Sequence, residues 1–245
     1  MIKSPVKRGS FLVLGSNRYE DTSALITLAS QEGIFSVLAK RVYQPKSNLK
    51  PLLIFGNYVD LEYRYQEKIS IASSLSVLYD ASFLSSDYSK AMFLLFLQEL
   101  SNTLFRYGDS YPLDEIVKIL NALETEDTLS LCLLSLGVFL RHLGLEYTVD
   151  SCALCHRKDH IVSFSEEEGG FLCEDCAKKR DVMKTSEMEL HVLRYAFMEV
   201  NEINVKRIVP RSEGRKILTL LTQKLEHSFD LAPFKTFSLL YQSLL

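Results

Sequence analysis

The sequence has no tryptophan and only 5 cysteines, 6 prolines and 10 glycines among its 245 residues. A small, odd number of cysteines is not typical of a disulfide framework. No uninterrupted apolar run reaches the roughly 20 residues that cross a bilayer. Residues 2–8 carry charges where a secretory signal would be apolar. We therefore expect a soluble, cytoplasmic protein.

Several enzyme motifs are also missing. The sequence contains no G-x-x-x-x-G-K-[ST] phosphate loop, no G-x-G-x-x-G and no G-x-S-x-G. Zinc deaminases need H-x-E followed by P-C-x-x-C. Here Ser151 precedes Cys152, and no histidine is followed at two residues by glutamate. The sequence thus predicts that the protein is not an enzyme.

The composition that remains is globular, with 47% hydrophobic and 24% charged residues. The 28 basic and 31 acidic residues give a net charge of −3. The total charge therefore does not indicate a nucleic-acid partner, and any such signal must come from local clusters.

Residues 1–80 have the pattern of a small β domain. Residues 58–65 alternate apolar and polar side chains, as a half-buried strand does. Further strands are predicted at 11–14, 25–29, 35–39 and 69–71, with a turn at 15–17. About five short strands predict a closed β-barrel, of which the OB-fold is the best-known case.

Residues 81–149 and 181–245 are predicted to form an α-helical domain, which makes the fold class α+β. Residues 113–120 carry apolar side chains on one helix face. Residues 127–143 are apolar nearly all round and predict a central buried helix that ends at Gly144. Ser186 begins a capping box. Residues 150–180 differ in character and are predicted to be an inserted zinc ribbon.

The strongest chemical signal is a pair of C-x-x-C motifs separated by seventeen residues. Two such knuckles form the tetrahedral four-sulfur cage that zinc prefers. Residues 164–172 predict a β-hairpin with a glycine turn, which would bring the knuckles together. Since four thiolates leave no position for water, the predicted Zn²⁺ is structural. The predicted ligands are Cys152, Cys155, Cys173 and Cys176.

Other interpretations of these residues stay open at this point. Two disulfides or a redox C-x-x-C are disfavoured by the expected cytosolic setting and by the lack of a βαβ unit. His156 or His160 could replace a cysteine, although we expect both to be loop residues. The acidic run 166–168 is interpreted as a solvated loop, and Cys132 as a buried small hydrophobe.

Basic residues form several local clusters. Residues 40–50 hold four cations and no acid, with Tyr43 among them. Single-strand binders combine a basic groove for phosphates with aromatic faces for bases, whereas the alternative is a solvated surface loop. The candidate DNA-binding residues are Lys7, Arg8, Lys40, Arg41, Tyr43, Lys46, Lys50, Lys206, Arg207, Arg211 and Arg215.

The order of these parts resembles the RecO family of bacterial recombination mediators over nearly the full chain. The two C-x-x-C motifs with the intervening hairpin are the most specific match. Residues 13–28 look like the family's first barrel strands, and residues 39–49 look like its basic loop. Ser23 and Ala24 stand where the family usually has an aspartate and a basic residue.

This resemblance implies a function. Such proteins bind single- and double-stranded DNA and anneal complementary strands. They engage RecR and the single-strand-binding protein, and they help RecA load during gap repair in the RecF pathway. The resemblance also implies a bacterial protein of the cytoplasm that associates with the nucleoid.

Two rival functions follow from the residues alone. The first is a zinc-ribbon adaptor that binds proteins without touching DNA. The second is a metal-dependent hydrolase that uses the acidic loop at residues 166–168.

Overall fold

The computed structural model describes residues 5–66, 69–200 and 209–244. The chain divides into two compact units, Met1–Asn121 and Ala122–Leu245. Each unit is described by itself below.

The first unit begins with a closed barrel of five strands in the order β1-β2-β3-β5-β4. The strands are β1 (Val6–Tyr19), β2 (Ser23–Ser30), β3 (Gly33–Ala39), β4 (Tyr58–Gln66) and β5 (Ile69–Tyr79). The β3–β5 pair is parallel and the other pairs are antiparallel. The predicted OB-like barrel is confirmed.

The barrel core consists of the inward side chains of alternating strand positions. Val13, Ile26, Val37 and Leu61 are all fully buried. The predicted turn at residues 15–17 is wrong, because β1 continues to Tyr19 and still pairs with β2 there. A β-bulge after Val13 lets the strand bend without ending.

Two helices follow the barrel in the same unit. They are α1 (Tyr88–Leu104) and α2 (Leu113–Ala122). The Asp87 side chain caps α1 by accepting a hydrogen bond from the Lys90 backbone N–H at 3.1 Å. Helix α2 buries the face that its apolar spacing predicts, including Ile116 and Leu120.

The second unit is built around helix α3 (Thr128–His142). Its residues 128–140 are all buried, as the apolar sequence predicts. Asp127 accepts a hydrogen bond from the Ser130 backbone N–H at 3.0 Å and begins the helix. Gly144 follows the helix with a φ of +70°, the left-handed conformation that glycine adopts easily.

The remaining elements of the second unit form a hairpin and four further helices among the described residues. They are β6 (Ile161–Ser165), β7 (Gly170–Cys173), α4 (Glu174–Lys179), α5 (Glu187–Ala196), α6 (Arg211–Ser228) and α7 (Phe237–Ser243). The capping box predicted at Ser186 is present, with Glu189 as its partner. Within the described ranges, no helix combines the length and apolar character needed to cross a membrane.

Helices α3 and α5 approach each other closely at Gly137. A Cβ at this position would lie 1.8 Å from the backbone carbonyl oxygen of Ala196. We expect Gly137→Ala to lower the free energy of unfolding by about 2 kcal/mol, since overpacking costs about 3 kcal/mol and alanine restores about 1 kcal/mol of helix propensity. Urea denaturation followed by circular dichroism measures the change.

Gly214→Ala is the matched control for this prediction. Its Cβ would meet the side chains of Leu129 and Val209, which can move aside. We expect Gly214→Ala to lower the free energy of unfolding by clearly less than Gly137→Ala does. Equal losses in the two variants would show that the Ala196 carbonyl is not the cause.

Candidate metal centre and basic surface

The four predicted metal ligands come together in the second unit. Cys152 and Cys155 lie in the loop before β6, Cys173 ends β7, and Cys176 lies in α4. Three of the thiols are buried, and Cys155 is exposed. The β6–β7 hairpin pairs Ile161 with Cys173, so it positions the second knuckle against the first.

The sulfur geometry fits a metal ion. The four Sγ atoms all lie within 4.8 Å of one another. The Cys155 and Cys173 sulfurs are 3.6 Å apart. A tetrahedral zinc with bonds of about 2.3 Å has sulfur–sulfur edges of about 3.8 Å. The cluster therefore has the size and donor type that a four-coordinate thiolate site requires.

Backbone hydrogen bonds hold the knuckles in shape. The His156 backbone N–H donates to the Cys152 carbonyl at 2.9 Å, and the Glu174 N–H donates to the His160 carbonyl at 3.0 Å. His156 and His160 have φ values of +61° and +52°. Both histidines are exposed loop residues, and the group in the described part of the chain that could hold a metal ion consists of cysteines.

The thiols influence one another electrostatically. Burial raises the pKa of Cys152, but hydrogen bonds from the backbone N–H groups of Cys173, Cys155 and Leu154 outweigh it, so the net pKa is lowered. Burial raises the pKa of Cys176, and its contacts with the other three cysteines raise it further. Cys152 therefore forms a thiolate more readily than Cys176 does. A bound cation would favour the thiolate form of both.

The acidic residues of the hairpin loop are used in structural contacts. The Tyr147 hydroxyl donates to Glu166 at 3.3 Å, and Arg180 pairs with Glu168 at 3.0 Å. The Lys224 ammonium lies 3.9 Å from the Tyr147 ring centroid. These contacts attach the loop to neighbouring segments of the second unit.

The hairpin is also joined to the rest of this unit through its backbone. The Thr148 N–H donates to the Gly169 carbonyl at 3.0 Å, and the Phe171 N–H donates to the Thr148 carbonyl at 2.8 Å. The Phe164 N–H donates to the Thr185 hydroxyl at 2.9 Å. The ribbon is therefore integrated into its unit on both strands.

The predicted basic loop, residues 40–50, follows β3 directly. Val42 and Leu49 are buried and belong to the barrel core. The Tyr43 backbone N–H donates to the Thr22 carbonyl at 3.1 Å, and the Gln44 N–H donates to the Arg41 carbonyl at 3.1 Å. These two apolar anchors and local hydrogen bonds fix the loop on the barrel.

The cations of this loop point to solvent. All four are exposed: Lys40, Arg41, Lys46 and Lys50. Across residues 5–66, 69–200 and 209–244, none of them forms an ion pair with a carboxylate. Lys50 donates to the Pro45 carbonyl at 2.9 Å. Their positive charges therefore stay available to an external anion.

The fold adds a cation that sequence reasoning missed. The Arg18 guanidinium lies 5.7 Å from the centroid of the exposed Tyr43 ring. Arg18 pairs with Ala24 in the β1–β2 hairpin, and Ala24 pairs with Ala39, next to the loop. A correct prediction of the β1–β2 register would have placed Arg18 close to the start of the basic loop. Ser23 and Ala24 themselves are buried.

The other predicted cations do not belong to this loop. Arg8 pairs with Asp60 through two hydrogen bonds, at 2.5 and 2.9 Å, and Lys7 is exposed. In the second unit, Arg211 donates to the Leu244 carbonyl at 2.8 Å, and the Arg215 guanidinium lies 3.9 Å from the Tyr241 ring centroid. The last two contacts hold helix α7. Lys206 and Arg207 lie outside the described residues.

Comparisons with known proteins are consistent with this arrangement. Residues 6–81 match the family described as Recombination protein O N terminal, and residues 68–236 match Recombination protein O C terminal. A DNA repair protein RecO of Bacillus cytotoxicus is 28% identical over 175 residues, which cover 66% of this chain and 67% of that protein. The RecO protein of Bacillus mycoides is 28% identical over 181 residues, 69% of each chain.

Proposed function

The chain belongs to the RecO family, and from this premise we propose that it is a DNA-binding recombination mediator in bacterial DNA repair. It binds single- and double-stranded DNA, anneals complementary strands, and assists RecA loading together with RecR and the single-strand-binding protein. It does this without enzymatic chemistry, in the cytoplasm and at the nucleoid.

The observation that carries this proposal is the basic loop, whose four cations form no ion pair with a carboxylate in the part of the chain that the structure describes. Lys40, Arg41, Lys46 and Lys50 are exposed in the same loop as the exposed Tyr43 ring, and the Arg18 guanidinium lies over that ring. Cations for phosphates next to an aromatic face for a base are what a single-strand binder needs.

The mechanism that follows is electrostatic. Each lysine or arginine that contacts a phosphate releases condensed counterions, which favours binding at low salt. Two strands held on the same cationic surface repel each other less, and complementary bases can then pair. Of the other predicted cations, we propose Lys7, Lys206 and Arg207 as secondary DNA contacts, because Arg8, Arg211 and Arg215 are engaged in contacts within the protein.

We propose that the metal is a structural Zn²⁺ held by the four cysteines. Four sulfurs within 4.8 Å of one another, in and around a hairpin that is hydrogen-bonded to the rest of its unit, support this assignment. We also retain the division into a barrel at 1–80, a helical domain at 81–149 and 181–245, and a zinc ribbon at 150–180. This division is based on the composition of the chain. The boundary between the two compact units instead falls between residues 121 and 122.

Binding and strand annealing at several salt concentrations test the proposed function. Because the chain has a net charge of −3, we expect annealing at low salt and a steep loss of affinity as salt rises. Fluorescence anisotropy with a labelled oligonucleotide measures this loss. Tight binding above about 300 mM salt would contradict the electrostatic mechanism. Absence of binding at low salt would favour the protein adaptor.

A further inference from the structure

A second candidate site lies at the end of the barrel that carries the β2–β3 turn. A cavity of about 620 Å³ opens there, and residues 30–33 of that turn line it. Its volume lies in the range of ligand pockets, about 300–1,000 Å³. The basic loop follows the opposite end of β3, so the two features are separate surfaces of the first unit.

Four aromatic residues line this cavity, and the rings of three of them, Phe11, Phe35 and Tyr63, form a cluster. Phe11 contacts Phe35 and Tyr63, with ring centroids 4.9 and 5.9 Å away. The Phe35 and Tyr63 centroids are 5.8 Å apart. Phe11 is buried, whereas Phe35 and Tyr63 are only half-buried. Parts of these two rings are therefore accessible from the cavity that they line.

The rim of the cavity carries uncompensated negative charge. Glu32 and Asp114 both line it, and within the described ranges neither forms an ion pair. Arg8 also lines the cavity, but its guanidinium is already bound by Asp60. The charges available to an incoming ligand are therefore the two carboxylates.

The acidic side of the rim is held in position. The Gln31 amide donates to Asp114 Oδ2 at 2.9 Å, and the Tyr111 backbone N–H donates to the Gln31 carbonyl at 3.4 Å. These bonds join the start of α2 to the β2–β3 turn. Asp114 therefore lines the same cavity as the aromatic rings and is hydrogen-bonded to the turn.

We infer that this cavity accepts an arginine side chain of a partner protein. Aromatic faces attract cations, and a guanidinium donates two parallel hydrogen bonds to a carboxylate. The same carboxylates would repel a phosphodiester, so the charge disfavours a nucleic acid here. The inference goes beyond DNA binding and rests on different residues from the basic loop.

Titration of the full-length, isotope-labelled chain with acetyl-arginine amide tests this inference. The control ligand is acetyl-citrulline amide, which has nearly the same shape but no charge. We expect arginine to shift the NMR signals of the Gly33 amide and the Tyr63 ring. Citrulline should bind at least about tenfold more weakly, because the cation–π and charge-assisted contacts are lost.

Variants of the rim identify the groups responsible. Glu32→Gln combined with Asp114→Asn should abolish the preference for arginine over citrulline, and Glu115→Gln on the same helix should keep it. Phe35→Leu should weaken arginine binding while the carboxylates remain. Equal binding of the two ligands would overturn the inference. The inference would also be overturned if an oligothymidylate shifted the Gly33 and Tyr63 signals and acetyl-arginine amide did not.

Discussion

Cys155→Ser is expected to lose tight zinc binding and to destabilise the second unit. Cys155 is the exposed member of the cluster, so its replacement removes a ligand with little loss of packing. Structural zinc contributes roughly 10–16 kcal/mol to the folding of zinc-finger peptides. Even a quarter of that, roughly 2.5–4 kcal/mol, is a large part of a typical folding free energy of about 5–15 kcal/mol.

Metal analysis measures the loss of zinc, and hydrogen exchange shows which segments are destabilised. Chelation or Cys155→Ser should remove amide protection from β6 and β7 first. The loss should reach Thr148 and Thr185, because backbone hydrogen bonds join them to the hairpin. The barrel strands should keep their protection, since they supply no ligand to the cluster.

Cys132 provides the control for the metal prediction. It is fully buried in α3 and does not belong to the cluster. Cys132→Ala should therefore retain one zinc per chain despite some loss of packing. A Cys155→Ser protein with full zinc content and unchanged exchange in the hairpin would refute the structural metal site.

Neutralising the basic loop is expected to weaken single-strand binding by about 100-fold at 0.1 M salt. The variant Lys40→Gln, Lys46→Gln, Lys50→Gln removes three exposed cations. Each phosphate contact contributes about 0.7 to the slope of log K against log salt for single strands, so the slope should decrease by about 2. Anisotropy titrations at several salt concentrations give both quantities.

A matched control removes the same number of positive charges from another part of the chain. The variant Lys158→Gln, Lys179→Gln, Lys184→Gln neutralises three exposed lysines in or beside the ribbon. It should bind DNA with nearly the original affinity and salt dependence. If both variants lose affinity equally, total charge and not the loop governs binding. If neither does, the protein adaptor becomes the better explanation.

Much of the architecture could be predicted from sequence because it depends on local patterns. Alternation at 58–65 predicts strand β4, and the apolar stretch after Asp127 predicts a buried helix. The turn expected at residues 15–17 was wrong for a nonlocal reason. Thr27, Ile26 and Leu25 of β2 supply partners that extend β1 beyond the bulge.

The sequence by itself determined the four candidate metal ligands and most of the secondary structure. Each C-x-x-C motif brings two sulfurs together because its cysteines are close in sequence. The spacing of apolar residues determines which face of a helix or strand is buried. Only the tertiary structure decided which cations remain available. Arg8 meets Asp60, 52 positions away, and Arg18 reaches Tyr43. Such pairings depend on strand register and helix packing, because electrostatic partners are chosen by distance in space and not along the chain.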